Sequence, residues 1–252
     1  MAILPGAGSY YFEGNEIGIL FLHGFTGTPQ NMRPIADYFA RRGYTVAGPR
    51  LAGHGTTVAD MIPTGPQDWL RSANAGLAWV RQFARTVFVA GVSLGGTMAF
   101  GMAVEHGDAL TGVACINAPF LDIPALDAIV KDPNAPATVA APWTDPRMLT
   151  KDPGAAGIVY FEMPVAALGR GLAYAAQVRA HLEQIRIPAL LFFSEDDAIV
   201  DPANGPYVLE HLGSPSKRLV KLTNSNHEAT LDFDKERIAI ELEAFIREHT
   251  GA

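Results

Sequence analysis

The chain has 252 residues and a single cysteine, Cys115. One thiol excludes an internal disulfide and fits a reducing compartment. It lies in the apolar run Gly112-Val113-Ala114-Cys115-Ile116, where a buried strand residue is expected rather than a thiolate nucleophile. Charge is also scarce: Asp, Glu, Lys and Arg make up 18% of the chain, and 26 acids against 19 bases leave a formal charge of −7. There is no basic run and no Lys/Arg-lined helical pattern, so nucleic acid is not an expected partner. No apolar stretch approaches the roughly 20 residues that span a bilayer. The segment Met1-Ala2-Ile3-Leu4-Pro5-Gly6 has no basic region leading into an apolar one, so no secretory signal is read. The expectation is a cytoplasmic protein without stable membrane insertion, and nothing in the pattern specifies an oligomeric state. No His/Asp/Glu set has metal-ligand spacing. Neither a metal nor another cofactor is expected.

Hydrophobic residues are plentiful, at 48%, enough for one α/β domain with an insertion. Ile17 to Leu22 reads as a buried strand, Asn31 to Arg42 as a helix and Tyr44 to Ala47 as a second strand. Leu70, Ala73, Leu77 and Val80 mark a further helix, whose start, Thr64-Gly65-Pro66-Gln67, has capping-box spacing with an early proline. Strands follow at Val87 to Val92, Gly112 to Asn117, Pro188 to Ser194 and Lys217 to Leu222, with helices near Asn204 to Leu212 and through Ile238, Leu242, Phe245 and Ile246. Continuous apolar strands alternating with amphipathic helices predict a mostly parallel sheet covered on both faces.

The rhythm breaks between Asn117 and Pro188, where a Pro/Ala/Asp-rich stretch precedes a helical pattern through Leu168, Leu172, Ala175, Val178, Leu182 and Ile185. A long interval of this kind inside a compact domain is usually a lid. Residues 1–252 are therefore read as one domain, with 120–186 as a cap inserted between two core strands. Trp143, Met148, Tyr160, Phe161, Met163 and Leu168 supply either the cap's own core or an acyl pocket.

Gly91-Val92-Ser93-Leu94-Gly95 carries the chemistry. An apolar strand precedes it and small, helix-compatible residues follow, the setting of a nucleophile elbow. Ser93 is the candidate nucleophile, and the Leu94 amide at a helix start is a candidate oxyanion donor. A serine hydroxyl needs a base held in one tautomer. His227, on the loop after the last strand, can be that base, and Glu195-Asp196-Asp197 follows another strand on the same edge. His23-Gly24-Phe25-Thr26-Gly27 follows the first buried strand, and its glycines let the Phe25 amide approach a substrate oxygen opposite that of Leu94. His23 is expected to bond locally and His54 to brace a loop or border the pocket. The remaining histidines are expected at surface positions.

The chain resembles the bacterial monoacylglycerol lipases and the related small carboxylesterases of the α/β-hydrolase superfamily. The resemblance rests on His23-Gly24-Phe25-Thr26-Gly27-Thr28-Pro29, Arg50-Leu51-Ala52-Gly53-His54-Gly55-Thr56, Thr64-Gly65-Pro66-Gln67-Asp68-Trp69, the elbow, and His227-Glu228-Ala229-Thr230-Leu231-Asp232. It implies the α/β-hydrolase fold and a Ser93–Asp197–His227 triad, with Asp197 matching an Asp-x-x-[Ile/Val]-x-Pro pattern through Val200 and Pro202 and Asp196 as the alternative acid. It also implies oxyanion donors at Phe25 and Leu94 and hydrolysis of a small ester through an acyl-enzyme. A thioesterase or amidase on the same triad, or a small-molecule receptor with little turnover, are the other readings. In monoacylglycerol lipases an acid of the cap helps recognise the glycerol. Here the corresponding stretch reads Lys151-Asp152-Pro153-Gly154-Ala155-Ala156-Gly157, and loss of that acid would point to a general carboxylesterase.

Overall fold

The computed structural model describes residues 2–251. In chain order the elements are β1 (Tyr10–Phe12), β2 (Ile17–Leu22), α1 (Arg33–Ala40), β3 (Thr45–Gly48), α2 (Val58–Met61), α3 (Pro66–Val80), β4 (Thr86–Val92), α4 (Leu94–His106), β5 (Gly112–Ile116), α5 (Pro124–Lys131), β6 (Thr138–Ala140), β7 (Glu162–Pro164), α6 (Val165–Arg179), β8 (Ala189–Ser194), α7 (Asn204–His211), β9 (Lys217–Leu222) and α8 (Lys235–Glu248). Among the described residues, seven strands form one sheet in the order β1-β3-β2-β4-β5-β8-β9. All its pairings are parallel except β1 with β3.

Two cores explain why the central strands are apolar on both sides. Leu20 and Leu22 of β2 and Val87 and Val89 of β4 pack with Leu77 and Val80 of α3 and Met98 of α4. Their neighbours Ile19, Phe21, Phe88 and Ala90 face the other way, onto Ile35 and Phe39 of α1 and Leu242 and Phe245 of α8. The period-two alternation of a strand thus feeds both layers at once. Each fully buried phenylalanine, such as Phe21 or Phe88, contributes about 1.5–3 kcal/mol by leaving water. These layers match the doubly covered, mostly parallel sheet that the sequence predicts.

Local differences have local causes. The first helical segment divides into a 3-10 turn, Pro29–Met32, and α1, which has proline in its first turn and so loses no needed amide. The cap of α3 lies one residue later than its spacing suggests: Gly65, not Thr64, is the N-cap, and its amide donates to Asp68 Oδ2 at 3.0 Å. The Thr64 hydroxyl instead accepts the Trp69 indole N–H at 3.0 Å. The antiparallel edge strand β1 has only three residues, too few for a periodic signal.

Between β5 and β8 lie α5, the antiparallel pair β6–β7 and α6. Leu126, Ala141, Trp143, Met163 and Leu168 form a separate apolar cluster there. The helical pattern stops at Arg179, and Leu182–Gln184 is a 3-10 turn, so Ile185 lies outside the helix. Among the described residues, no helix is long and apolar enough to cross a membrane.

Candidate active site

Parallel strands bring their following loops to one edge, where chemistry collects in such sheets. At β4 the chain turns directly into α4 through Ser93, whose φ of 53° and ψ of −128° lie in a strained region. Glycine on either side makes the turn feasible. A Cβ at Gly91 would run into the Gly95 carbonyl, and one at Gly95 into the Leu22 carbonyl. The Ser93 amide is tied to Ile116 O of β5 at 2.8 Å.

His227 Nε2 lies 3.0 Å from Ser93 Oγ, and its Nδ1 lies 3.0 and 2.9 Å from the two oxygens of Asp197. A carboxylate only accepts, so Nδ1–H donates to Asp197 and neutral Nε2 is left to accept the serine proton. The Asp197 carboxylate is wholly buried and also accepts the Ile199 and Val200 amides at 2.8 and 2.9 Å. Asp196 points away: it is 66% exposed and pairs with Lys151 at 2.7 Å. Burial pushes the His227 pKa down, but the charge and hydrogen bond of Asp197, with the charge of Glu228, hold it above the usual 6.5.

Two buried residues that the sequence analysis did not single out fix these loops. Asn117, at the end of β5, has φ 48°. Its Nδ2 donates toward Ser194 Oγ, Asn226 O and His227 O at 2.9, 3.1 and 2.8 Å, while its Oδ1 accepts the Ser194 amide at 2.7 Å. One side chain thus joins the ends of β5 and β8 to the His227 loop. Asp232 accepts the amides of Asn226 and Lys151 on one oxygen, each at 2.8 Å, and those of Asp152 and Phe233 on the other, each at 2.9 Å. The available signals were an asparagine closing an apolar strand and an acid five residues past the histidine.

Phe25 and Leu94 both line the cavity that contains Ser93. A Cβ at Gly24 would stand 3.1 Å from Ser93 Cβ, so the loop after β2 lies against the elbow. His23 shapes that loop: Nδ1–H donates to Gly24 O at 3.0 Å and Nε2 accepts the Leu51 amide at 3.1 Å. Its burial pushes its pKa well below 6.5. His54 donates to Ala52 O at 3.0 Å, and burial lowers its pKa to about 4. It packs edge-on against His23, Phe25 and Trp69 and is not among the cavity's lining residues. His181 and His211 each bond a carbonyl one turn back on their own segments, whereas His106 Nε2 pairs with Asn74 Oδ1 of α3 at 2.8 Å and His249 Nε2 with Ser216 Oγ at 2.9 Å.

The cavity encloses about 670 Å³ including its open mouth. Apart from Thr26, Ser93, His227 and Glu228 its lining is apolar or glycine, with Ile123, Leu126, Trp143, Leu168 and Leu172 supplied by the inserted segment. Of the aromatic and sulfur-containing residues considered for an acyl pocket, Trp143 lines it. Met163 is buried in the segment's own cluster, and Phe161 is 57% exposed. The Tyr160 hydroxyl accepts the Thr56 amide at 2.7 Å and donates to Gly53 O at 3.1 Å, fastening the segment to the loop after β3. Asp152 does not line the cavity; its carboxylate accepts the Gly154 amide at 2.8 Å and lies 3.8 Å from Lys235 Nζ. Among the described residues, no group of three His, Cys, Asp or Glu side chains is arranged to hold a metal ion.

Several known proteins are similar to this chain in sequence and fold. The profile of the family described as "Serine aminopeptidase, S33" matches residues 16–234. A thermostable monoacylglycerol lipase of Bacillus sp. (strain H-257) is 39% identical over 99% of this chain and 98% of its own length. A solved structure from work on the metagenome-derived lipolytic enzymes LipS and LipT is also 39% identical, with a TM-score of 0.93 over 98% of this chain and 100% of that one. The monoacylglycerol lipase of Paleococcus ferrophilus shares the fold, with a TM-score of 0.81 at 16% identity over 99% of this chain and 100% of its own.

Proposed function

The chain belongs to the serine aminopeptidase S33 family of the α/β-hydrolase superfamily, and from that premise we propose that it hydrolyses fatty-acid monoesters through an acyl-enzyme on Ser93. The observation that carries this reading is the His227 ring, hydrogen-bonded to Ser93 on one side and to a buried carboxylate on the other. His227 Nε2 takes the Ser93 proton as Oγ attacks the ester carbonyl. The Phe25 and Leu94 amides hold the oxyanion, and charge stabilisation at such a site is usually the largest contribution to acyl transfer. Asp197 fixes the tautomer and stabilises the imidazolium. His227 then hands its proton to the leaving alcohol, and a water activated by the same nitrogen releases the acid.

Residues 120–186 act as a cap within a single domain, and the apolar side chains they lend the cavity favour an alkyl chain. An aminopeptidase must instead hold an ammonium on the acyl side of the scissile bond, and Glu228 is the one carboxylate in the lining. The relatives named as lipolytic enzymes and a monoacylglycerol lipase point the same way. We read the cytoplasm as the working compartment, on the strength of a single thiol, Cys115, which burial keeps protonated.

The test uses p-nitrophenyl esters of increasing acyl length. Each methylene that enters the cavity gains about 0.8 kcal/mol, roughly fourfold in kcat/KM, until the cavity is full. Ser93→Ala should remain folded and lose about four to six orders of magnitude in kcat. A variant retaining a tenth of the activity, or wild type that prefers aminoacyl p-nitroanilides to every ester, would defeat the reading.

A further inference from the structure

His23 is fully buried and does not line the cavity of Ser93, so it touches no substrate. Both of its ring nitrogens are nevertheless engaged, in opposite senses. A backbone amide only donates, so the Leu51 N–H, at 3.1 Å, makes Nε2 the acceptor. The ring proton is left on Nδ1, which donates to Gly24 O at 3.0 Å. Burial and the neighbouring His54 keep the ring neutral, the state that both bonds need. His54 packs edge-on against it, with the ring centroids 5.0 Å apart.

The acceptor chosen by Nδ1 gives this arrangement its consequence. Gly24 O and the Phe25 N–H belong to one peptide group, and no peptide bond among the described residues is cis. In a planar trans peptide the carbonyl and the amide point in opposite directions. A bond that draws Gly24 O toward His23 therefore turns the Phe25 N–H the other way. Among the described residues that amide donates no hydrogen bond within the protein. The peptide also lies against the nucleophile, since a Cβ at Gly24 would stand 3.1 Å from Ser93 Cβ. The Gly27 amide adds a second, longer bond to Gly24 O at 3.2 Å, and the Tyr160 amide of the cap holds Thr26 O at 3.0 Å. A peptide that follows glycine turns over at little steric cost, so its orientation has to come from such bonds. Hydrogen bonds in series also polarise one another. The bond at Gly24 O therefore makes the Phe25 N–H a stronger donor.

We infer that His23 is a positioning residue of the oxyanion hole, holding and polarising the Gly24–Phe25 peptide so that the Phe25 amide meets the developing oxyanion. This rests on the ester-hydrolase reading of Ser93, with Phe25 as an oxyanion donor. The effect belongs to the charged tetrahedral state and leaves ground-state binding of the ester alone.

The experiment compares wild type, His23→Gln and His23→Asn, as purified full chains, on p-nitrophenyl butyrate. Glutamine places its carbonyl oxygen near the Nε2 position and keeps the Leu51 bond, but loses the donor at Nδ1. Asparagine keeps a donor near Nδ1. In His23→Gln kcat falls about a hundredfold with KM within about twofold, the pattern of an interaction made only in the transition state. Affinity for an alkyl trifluoromethyl ketone, whose adduct with Ser93 Oγ carries an oxyanion, falls by about the same factor. His23→Asn recovers about tenfold of that loss. A kcat loss under about tenfold in folded His23→Gln, or a change in KM alone, would overturn the role of His23 and leave the esterase intact. Wild type inactive on every p-nitrophenyl ester would instead overturn the ester-hydrolase reading. Should His23→Gln fail to fold, wild type labelled with 15N-histidine decides. The His23 Nδ1–H resonance moves downfield when the ketone adduct forms, because charge at the Phe25 amide strengthens the bond at Gly24 O. An unchanged resonance would overturn the inference.

Discussion

Asp196 and Asp197 are adjacent acids, and replacing each with asparagine should separate their roles by several orders of magnitude. The Asp197 carboxylate is wholly buried and accepts from His227 Nδ1 and from two backbone amides. An asparagine there keeps the shape but can turn its NH₂ toward Nδ1, which moves the ring proton to Nε2 and removes the base. The expected loss in kcat/KM is about ten-thousand-fold. Asp196 is 66% exposed in an ion pair with Lys151; such pairs are worth about 0–1 kcal/mol, so Asp196→Asn should stay within about threefold of wild type. The assay is p-nitrophenyl ester hydrolysis across pH, with thermal unfolding to show that both variants fold. The pH profile carries a second signature. His227 must be neutral, so kcat/KM falls as pH drops through its pKa. Burial lowers that pKa, while Asp197 and Glu228, the acids that act on the ring, raise it. In Asp197→Asn burial remains and the larger opposing charge is gone, so the acid limb of the residual activity should move to lower pH. A larger loss in Asp196→Asn, or a limb that does not move in Asp197→Asn, would refute the reasoning.

Asn117→Ala should cost about 2–4 kcal/mol, because it leaves the Ser194 amide and the His227 carbonyl without their partner, leaves the Asn226 carbonyl only the Ser194 hydroxyl, and puts alanine at positive φ. Urea unfolding measures this, and a loss under about 1 kcal/mol with unchanged kcat would remove Asn117 as the brace of the site. Stability should also fall in mild acid. His54 is neutral when folded down to about pH 4, whereas its unfolded form takes a proton at about 6.5. Its contribution is therefore complete above 6.5 and is lost as pH falls from there toward 4, at about 1.4 kcal/mol per pH unit. His23, depressed in the same direction, adds to the slope. The raised pKa of His227 acts in the opposite direction, so the comparison is made in His227→Gln, where unfolding free energies equal at pH 7 and pH 5 would contradict the neutral, buried state of both rings.

Steric demands confined to a few consecutive residues can be read from the chain alone. Only glycine tolerates the contacts at Gly91 and Gly95, so the turn around Ser93 is written into five residues. The doubly covered sheet is legible for a similar reason: β2, β4, β5 and β8 are apolar except for Thr86 at the start of β4 and Ser194 at the end of β8, which suits a strand buried on both faces. The cap of α3 shows the limit of such reading, since Thr64 and Gly65 both offer a plausible start and the packing of Trp69 against Thr64 decides between them.

Other features depend on chain segments far apart in sequence. Which of two neighbouring aspartates faces His227 depends on the path of the loop after β8, and that path is held by Asn226, which accepts the Ala198 amide. Asn117 gains its partners from residues 77 to 110 positions away. Strand and turn propensities act over a few residues, so composition and spacing determine the elements and the elbow. Desolvation and hydrogen-bond pairing depend on what the folded chain places beside each group, and only the tertiary structure decided which acids are buried, paired or left open to a substrate.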